Sequence, residues 1–473
     1  MTAPIAPNSP ASLPAAPLAA VSNQLIARIG VQADLTDEAL LPRGPQRKQA
    51  VYDDLVKTAA ASQQPAMMKL EELRRSGAVT AVESMFLPNA LVVTSAPGKE
   101  QAVADALRGV ANITEVAENK KWSIPGAPDG PAGSWDAVTG GTSLAPVNVA
   151  WGVEKIGAPA AWARHIDGTG VTIGIVDTGL DAAHPAIKGH YRGTAADGSQ
   201  THDYNWFDPF NNRAVPFDDG GHGTHVGGTS AGGVEGQAIG VAPGAKLIAA
   251  KAIEGAGNNT SVATMRALQW MLAPTRTDGT SPDPTRGADV VNNSWGNADQ
   301  NDASFQETFA GLLAAGIEVV TAAGNDGPGA GTVSPPGSYP GYISVAATNR
   351  DDKVTSFSSR GPSKFAKAGE LVPNIAGPGA SVPSAVPGGR YQSMSGTSMA
   401  SPHLAGVVAL LLQAKPQATH AEILEAMNST AVDIDRPGPD TAAGNGRVDV
   451  IAAIDQLNTT KEPTPKYPLA LPV

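Results

Sequence analysis

Five short runs of consecutive, mostly apolar residues constrain the fold of this chain more than any other feature of its sequence. They are Val171–Val176, Leu247–Ile253, Asp289–Asn292, Ile317–Ala323 and Ile343–Ala347. Stretches with helical character alternate with them, at Val262–Leu272, Phe305–Ala315 and Ser398–Gln413. Apolar runs without polar alternation are typical of strands buried on both faces. The sequence therefore predicts an α/β fold, in which a mainly parallel sheet lies between two layers of helices.

A smaller unit is predicted before this region. Its elements follow the order β-α-β-β-α-β, which is typical of small, ferredoxin-like α+β domains. The predicted elements are a strand at 23–33, a helix at 49–75 interrupted by Pro65, two strands within 76–96 joined near Pro88 and Asn89, a helix at 98–108 and a strand at 112–117.

Pro-rich segments without periodicity set the remaining boundaries, because such segments cannot form a packed core. The predicted division is a disordered tail at 1–22, the small unit at 23–122, a linker at 123–148, the large domain at 149–457 and a Pro-rich tail at 458–473.

Composition excludes several functional classes. The 473 residues include no cysteine, which excludes disulfides, thiolate metal sites and cysteine nucleophiles. The formal charge of −11 argues against nucleic acid as a partner, since that partner requires a basic face. No apolar run approaches the length of about 18 residues that a membrane span needs, and Leu404–Leu412 is predicted to be a buried helix. The first residues also lack the basic segment and apolar core of a signal peptide.

Four polar residues occupy the positions where the active site of an α/β sheet is expected, beyond the carboxyl ends of the strands. Asp177 and Asn325 each follow a predicted buried strand. His222 opens a run of small residues, and Ser398 stands at the start of an apolar helix. Acyl transfer needs a nucleophile, a base, a group that orients the base and a donor for the oxyanion. These four residues supply each part once.

Three motifs resemble the signature segments of the subtilisin-like serine proteases, the subtilases, and occur in that family's order. They are Asp177-Thr178-Gly179, His222-Gly223-Thr224-His225 and Gly396-Thr397-Ser398-Met399-Ala400. Two further segments resemble the family's oxyanion segment and substrate-binding strand, namely Ala322-Ala323-Gly324-Asn325 and 290–296. The resemblance covers about 151–457.

The resemblance implies a role for each site residue. Ser398 would be the nucleophile, His222 the general base and Asp177 the group that orients it, while Asn325 and the Ser398 N–H would bind the oxyanion. The residues expected to bind the peptide substrate are Ser294, Trp295, Gly296, Ala322, Ala323, Gly324 and Ser334.

The resemblance also implies that residues 23–122 are a propeptide, which assists folding, inhibits the enzyme and is removed by self-cleavage between about Asn119 and Val149. The expected partners are protein or peptide substrates and this propeptide, and the expected state is a monomer. No cofactor is expected for the chemistry. Structural calcium stays open, with carboxylates offered by Asp208, Asp218, Asp219, Asp302, Asp351 and Asp352. Localisation also stays open, because the family favours export whereas the N-terminus shows no signal.

Other interpretations of the motifs are weaker. Aspartic proteases also use Asp-Thr-Gly, but they need two such carboxylates, and this chain has one. The segment 228–232 satisfies the Gly-x-Ser-x-Gly elbow of α/β-hydrolases but follows a helix-like run instead of a strand. His225 and His403 are expected to be buried and structural. Two other functional hypotheses remain: a catalytically silent scaffold on the same fold, and a ligase in which an amine captures the acyl-enzyme.

Overall fold

The computed structural model describes residues 23–122, 148–255 and 259–459. We call residues 23–122 the N-terminal unit and the two later ranges together the main unit. The predicted tail at 1–22 and most of the predicted linker and C-terminal tail lie outside the described residues.

The N-terminal unit has the predicted order of elements. They are β1 (Gln24–Ile29), α1 (Pro45–Ser62), α2 (Gln64–Arg75), β2 (Val79–Met85), β3 (Ala90–Ser95), α3 (Glu100–Arg108), β4 (Ile113–Glu118) and the short β5 (Lys121–Trp122). The first sheet is antiparallel, with strand order β2-β3-β1-β4, so the α+β prediction is confirmed.

The long predicted helix differs from the observed one in where it begins and divides. The observed helix starts at Pro45, because proline is favoured at a first helical position, where its missing N–H costs nothing. It divides at Gln63, which leaves Pro65 in the first turn of α2 instead of inside one long helix.

Seven strands of the main unit form one parallel sheet in the order β15-β14-β13-β12-β6-β10-β7. These strands are β6 (Thr172–Asp177), β7 (Trp206–Phe207), β10 (Lys246–Lys251), β12 (Val290–Asn293), β13 (Glu318–Ala322), β14 (Ile343–Thr348) and β15 (Ile375–Pro378). The pairs outside this sheet use β8 (Gly233–Val234), β9 (Gln237–Ala238), β11 (Asn259–Thr260), β16 (Val382–Val386) and β17 (Arg390–Met394). The parallel sheet confirms the predicted fold class.

Nine α-helices are described in the main unit. They are α4 (Trp151–Lys155), α5 (Ala158–Trp162), α6 (Pro185–Lys188), α7 (His222–Ala231), α8 (Ser261–Leu272), α9 (Gln306–Ala314), α10 (Thr397–Ala414), α11 (His420–Ser429) and α12 (Val450–Thr459). Short 3₁₀ helices lie at Glu38–Leu40 and Pro284–Arg286. The last α-helix continues to Thr459, two residues beyond the predicted end of the domain.

The sheet is buried on both faces, as the continuous apolar runs predict. In β6, Ile173 and Ile175 belong to one hydrophobic core, whereas Val176 belongs to the core on the opposite face. Strand β10 divides in the same way, with Leu247 in the first core and Ile248 in the second. Alternate residues of one strand therefore stabilise two separate layers of helices.

Helix α10 is the apolar helix that carries the serine motif. Its mean hydropathy of 1.2 and length of 18 residues would be enough for a membrane span, but 89% of it is buried inside the structure. Among the described residues, it is the one helix that has this length and hydropathy. Burial of this kind is usual for the central helix of a protein core.

The second core extends across both units. It includes Tyr52 and Phe86 of the N-terminal unit together with Trp270 and Phe309 of the main unit. The sheet of the N-terminal unit therefore covers helices α8 and α9 instead of facing solvent.

Candidate active site

The carboxylate of Asp177 and the imidazole of His222 form the centre of the site. Asp177 is the last residue of β6 and is fully buried. Its Oδ1 atom lies 2.7 Å from His222 Nδ1 and accepts a further 2.7 Å hydrogen bond from the Thr178 N–H. Because an ionised carboxylate can only accept hydrogen bonds, the proton of the neutral imidazole lies on Nδ1. Nε2 then carries the lone pair that a general base needs.

The surroundings of His222 favour its charged form. Burial lowers the pKa of His222. The charges of Asp177 and Asp218 and the hydrogen bond to Asp177 raise it by more than burial lowers it, so the pKa lies above its ordinary value of 6.5. The imidazolium that forms when His222 accepts a proton is therefore stabilised. His222 is the first residue of α7, and Gly221 before it has φ 75°, a conformation that glycine adopts without strain.

Asp218 fixes the loop that leads into His222, a role that the sequence analysis missed by treating Asp218 as a calcium candidate alone. Its two oxygens accept five hydrogen bonds, from Thr178 Oγ1 (2.7 Å), Gly220 N (3.1 Å), Gly221 N (2.8 Å), Thr224 N (2.8 Å) and Thr224 Oγ1 (2.6 Å). A sequence signal was present, because Asp218 stands two residues before Gly220-Gly221, and aspartate side chains favour turns in which they bind the N–H groups two or three residues further on.

Lys251 is a second residue that sequence reasoning missed. It is fully buried at the end of β10, where it pairs in register with Asp177. Its ammonium group donates hydrogen bonds to the Thr178 carbonyl (2.7 Å), to the Ile253 carbonyl (3.0 Å) and to Asp219. Buried lysines need such partners, and here they fix the chain just after Asp177. A lysine at the end of an apolar run carries no sequence signal for this contact.

Ser398 is the second residue of α10 and is 6% exposed. Its hydroxyl donates a 2.9 Å hydrogen bond to the Ser294 carbonyl, and the Ser294 hydroxyl donates a 2.9 Å bond to the Ser398 carbonyl. This reciprocal pair ties the start of α10 to the end of β12. A serine near a helix N-terminus lies close to free backbone N–H groups, which stabilise developing negative charge.

Asn325 lies beside the start of the same helix. Its Oδ1 atom accepts hydrogen bonds from the Thr397 N–H (2.9 Å) and the Thr397 hydroxyl (3.0 Å), which fixes the orientation of the amide. A Cβ atom placed on Gly396 would lie 3.6 Å from both Asn325 Nδ2 and the Ser398 N atom. Both nitrogens therefore border the same space, which glycine leaves open. Two N–H donors that face one space can bind an oxyanion.

The predicted substrate-binding residues surround these groups, at the carboxyl ends of β12 and β13. Asn292 of β12 pairs with Ile175 of the parallel strand β6. Ser294 and Asp177 each follow two residues later, so they lie side by side at the carboxyl edge of the sheet. Ser294, Trp295 and Gly296 are all buried. The sheet thus brings the predicted substrate-binding segment beside the Asp177–His222 pair.

The second group of predicted substrate-binding residues packs closely together. Ala322, Ala323 and Gly324 are buried, and the Ser334 N–H donates a 3.2 Å hydrogen bond to the Ala323 carbonyl. Gly324 has φ 106°, and a Cβ atom there would come within 2.8 Å of the Ser334 hydroxyl oxygen. Glycine is required at this position for both reasons.

The residues of the weaker motifs are buried and form hydrogen bonds to backbone carbonyls. His225 and His403 are both fully buried; His225 Nε2 lies 3.0 Å from the Val382 carbonyl, and His403 Nδ1 lies 2.8 Å from the Met399 carbonyl. Ser230, the centre of the elbow-like motif, lies inside α7 and donates to the Val226 carbonyl. None of these three side chains joins the Asp177–His222 pair.

Five of the six carboxylates suggested for calcium bind donors of the protein itself. Asp208 accepts backbone N–H groups, Asp219 binds Lys251, and Asp352 binds Lys155 and Arg447. Within residues 23–122, 148–255 and 259–459, no three His, Asp or Glu side chains gather in a way that would hold a metal ion. The six suggested residues therefore do not gather into one cluster of carboxylates.

Comparison with known proteins agrees with this geometry. Residues 168–446 match the model of the subtilase family. The chain is 34% identical to bacillopeptidase F of Bacillus subtilis over 427 residues, which are 87% of this chain and 29% of that protein. It is 33% identical to subtilisin E of Bacillus subtilis over 314 residues, 65% of this chain and 71% of that protein. Subtilisin Savinase of Lederbergia lenta is 32% identical over 311 residues, 65% of this chain and 98% of that protein.

The first of these relatives was expected from two segments, 205–208 and 334–340, that resemble bacillopeptidase F. This chain spans less than a third of the length of that protein. The family motifs, the parallel sheet and the match over 168–446 agree. The chain therefore belongs to the subtilase family of serine peptidases.

Proposed function

We propose that this chain is the proenzyme of a serine endopeptidase, which hydrolyses peptide bonds in extended segments of protein substrates. The observation that carries the proposal is the buried 2.7 Å contact between Asp177 and His222, together with Ser398 at the start of α10. A buried carboxylate that fixes one imidazole nitrogen leaves the other nitrogen available for a serine hydroxyl.

In the first half of the reaction, the Ser398 oxygen attacks the carbonyl carbon of the scissile bond, and its proton passes to Nε2 of His222. The carbonyl oxygen becomes an oxyanion, which accepts hydrogen bonds from Asn325 Nδ2 and the Ser398 N–H. The C–N bond then breaks, and His222 returns the proton to the leaving amine. An ester between Ser398 and the acyl half of the substrate remains.

In the second half, water attacks this ester and His222 takes a proton from the water. The oxyanion forms in the same place, and its collapse breaks the bond to Ser398. His222 then returns the proton to the serine oxygen, which releases a carboxylic acid. Asp177 stays ionised throughout, because its role is to hold the imidazole tautomer and to stabilise the imidazolium.

The N-terminal unit would keep this enzyme inactive until the linker is cut. Its last strand, β5, pairs with β11 of the main unit, where Asn259 lies opposite Trp122. Just before this strand, the Asn119 side chain accepts a 3.1 Å hydrogen bond from the Val262 N–H in the first turn of α8. The chain that follows residue 122 therefore leaves from an antiparallel pair of the kind that a peptide substrate forms.

The test compares the full chain with Ser398→Ala, and uses Ser395→Ala as the matched control. Ser395 is close in sequence, but its hydroxyl accepts a hydrogen bond from the Ser381 N–H and serves the loop. We expect the parent and Ser395→Ala to cleave their linkers between about 119 and 149 and to degrade casein. Ser398→Ala should stay intact and inactive.

Mass spectrometry of the products separates the possible outcomes. Trimming of purified Ser398→Ala at the same position would contradict self-cleavage. Intact casein with folded parent protein would favour the silent scaffold, and joined casein peptides would favour a ligase.

A further inference from the structure

A further contact between the two units lies at the end of the sheet opposite to the active site. Asp289 and Glu318 stand at the amino ends of β12 and β13, whereas Ser294 and Asn325 follow their carboxyl ends. Residues Arg43, Arg47 and Lys48 of the N-terminal unit lie against this amino end, and we call these three residues the distal anchor. The anchor is separated from the active site by the length of the strands.

Arg43 is the most extensively bonded residue of the distal anchor. Its guanidinium donates to Glu318 Oε1 at 2.7 Å, to the Ala418 carbonyl at 3.0 and 3.2 Å and to the Gly316 carbonyl. Its side chain is 9% exposed and that of Glu318 is 1% exposed, so this ion pair is shielded from water. Shielded, hydrogen-bonded ion pairs are much stronger than exposed ones.

Glu318 stays charged over the working range of pH. Burial raises its pKa, but the charges of His420 and Arg43 and their hydrogen bonds lower it to about 2. His420 Nδ1 lies 2.6 Å from Glu318 Oε2, so Glu318 keeps one partner on the main unit when Arg43 leaves.

Arg47 and Lys48 bind the ends of other elements. The Arg47 guanidinium donates to the carbonyls of Ala314 (2.6 Å) and Leu313 (3.1 Å), in the last turn of α9. Cations at a helix C-terminus are stabilised by its free carbonyls. The buried Lys48 ammonium donates to Asp289 Oδ1 at 2.6 Å and to the Gly287 carbonyl at 3.0 Å. All three cations of the anchor therefore end on acceptors of the main unit.

We propose that the distal anchor is a separate binding surface, which keeps the N-terminal unit attached to the main unit after the linker is cut. This inference rests on the proposed function, since that function includes the cut. The contact at the active-site end combines a neutral hydrogen bond, between Asn119 and Val262, with the 3.4 Å ion pair of Arg28 and the half-exposed Glu307. The anchor adds three cations, of which Lys48 is buried and Arg43 and Arg47 are partly buried, and all three lie at the end of the sheet away from the cleft.

The experiment uses the full chain with Ser398→Ala, so that no activity of the chain enters the measurement. A recognition sequence for a specific added protease is placed within residues 123–147, and cutting there separates the two units covalently. Size-exclusion chromatography over a series of protein concentrations then gives the dissociation constant of the two units. The anchor variant is Arg43→Ala/Arg47→Ala/Lys48→Ala.

The matched control is Lys69→Ala/Arg74→Ala/Arg75→Ala, which removes the same charge from α2 of the same unit. Lys69 and Arg75 pair with Glu72 and Glu71 of their own helix. We expect the control to bind as the parent does and the anchor variant to bind about 100-fold more weakly, because buried charge pairs at interfaces carry energies of that order. Asn119→Ala should weaken binding less than the anchor variant does.

Equal dissociation constants for the anchor variant and the control would overturn the proposal. Circular dichroism of the uncut chains checks that each variant is folded. If the triple variant does not fold, Arg47→Ala alone, which removes two hydrogen bonds to carbonyls of α9, should weaken binding about tenfold. An unchanged constant for that variant would be equally contradictory. Failure of the proposed function would show differently, as trimming of Ser398→Ala before any protease is added.

Discussion

The Thr178 hydroxyl donates a 2.7 Å hydrogen bond to Asp218 and accepts a 2.8 Å bond from the Gly223 N–H. A single side chain thus joins the strand that ends at Asp177 to the helix that begins at His222. The distance between the Asp177 carboxylate and the His222 imidazole is therefore set by a network around them as well as by their own contact.

The pH dependence of activity should reflect the stabilised imidazolium. His222 must be neutral to accept the serine proton, so kcat/KM should fall as the pH drops through the pKa of His222. The charges of Asp177 and Asp218 hold that pKa above 6.5 despite burial. A peptide-substrate pH profile with its acidic midpoint below 6.5 would contradict this assignment.

Asp218→Asn should act through His222 without contact with the substrate. The variant loses the charge that helps to raise the pKa of His222. An amide nitrogen replaces one carboxylate oxygen, and where it replaces Oδ2 it cannot accept the two hydrogen bonds from Thr224. We expect kcat to fall about tenfold, equivalent to ~1.4 kcal/mol, with KM little changed and the acidic midpoint shifted to lower pH. Asp203→Asn is the control, because Asp203 pairs with Arg276 and does not contribute to the pKa of His222. A loss of activity without any shift in the midpoint would indicate a purely structural role.

Asn325→Ala should slow the chemical steps more than it weakens binding. Its amide is oriented by two hydrogen bonds from Thr397, which leaves Nδ2 for the oxyanion. We expect kcat to fall by about 10²–10³ with KM nearly unchanged; this range was measured for the equivalent amide of subtilisin, a relative of this chain. A rise in KM with unchanged kcat would place Asn325 in ground-state binding instead.

The buried histidines should make the fold sensitive to acid. Burial lowers the pKa of His403 to about 4 and that of His225 to about 3, whereas both titrate near 6.5 in an unfolded chain. The unfolded state therefore binds more protons below pH 6.5, so stability should fall as the pH drops from 6.5 towards 4.

For His403 alone, the loss by pH 4 is about 3 kcal/mol. The check is the melting temperature of Ser398→Ala chains at pH 7 and pH 4.5, with and without His403→Gln. The His403→Gln chain should have a lower melting temperature at pH 7, but its melting temperature should fall less between pH 7 and pH 4.5. Equal losses in both chains would contradict the prediction.

Much of the active site was predictable because its signals are local. The apolar run Val171–Val176 predicts a buried strand, and the observed strand differs by one residue at each end. Ser398 was expected at the start of an apolar helix, and it is the second residue of α10. The contacts between these elements follow from a parallel sheet, whose carboxyl ends share one edge.

The contacts between the two units could not be predicted in the same way. Arg43 and Glu318 are 275 positions apart, and Lys48 and Asp289 are 241 apart. Nothing near these residues in the sequence marks them as partners, because an ion pair needs only opposite charges that the fold brings together. The hairpin of β16 and β17 differs in this respect, because its turn contains Gly388 and Gly389, both at positive φ, and paired glycines are a local turn signal.

Covalent labelling tests the central claim most directly. The trimmed parent is treated with a serine-directed phosphonate, digested and examined by mass spectrometry, with Asp177→Asn as the comparison. We predict one label per chain, on Ser398, and labelling about 10⁴-fold slower in Asp177→Asn, because that change removes the carboxylate that fixes the imidazole tautomer. Labelling of another serine, or equal labelling rates in the two proteins, would contradict the assignment of Ser398, His222 and Asp177 as the catalytic residues.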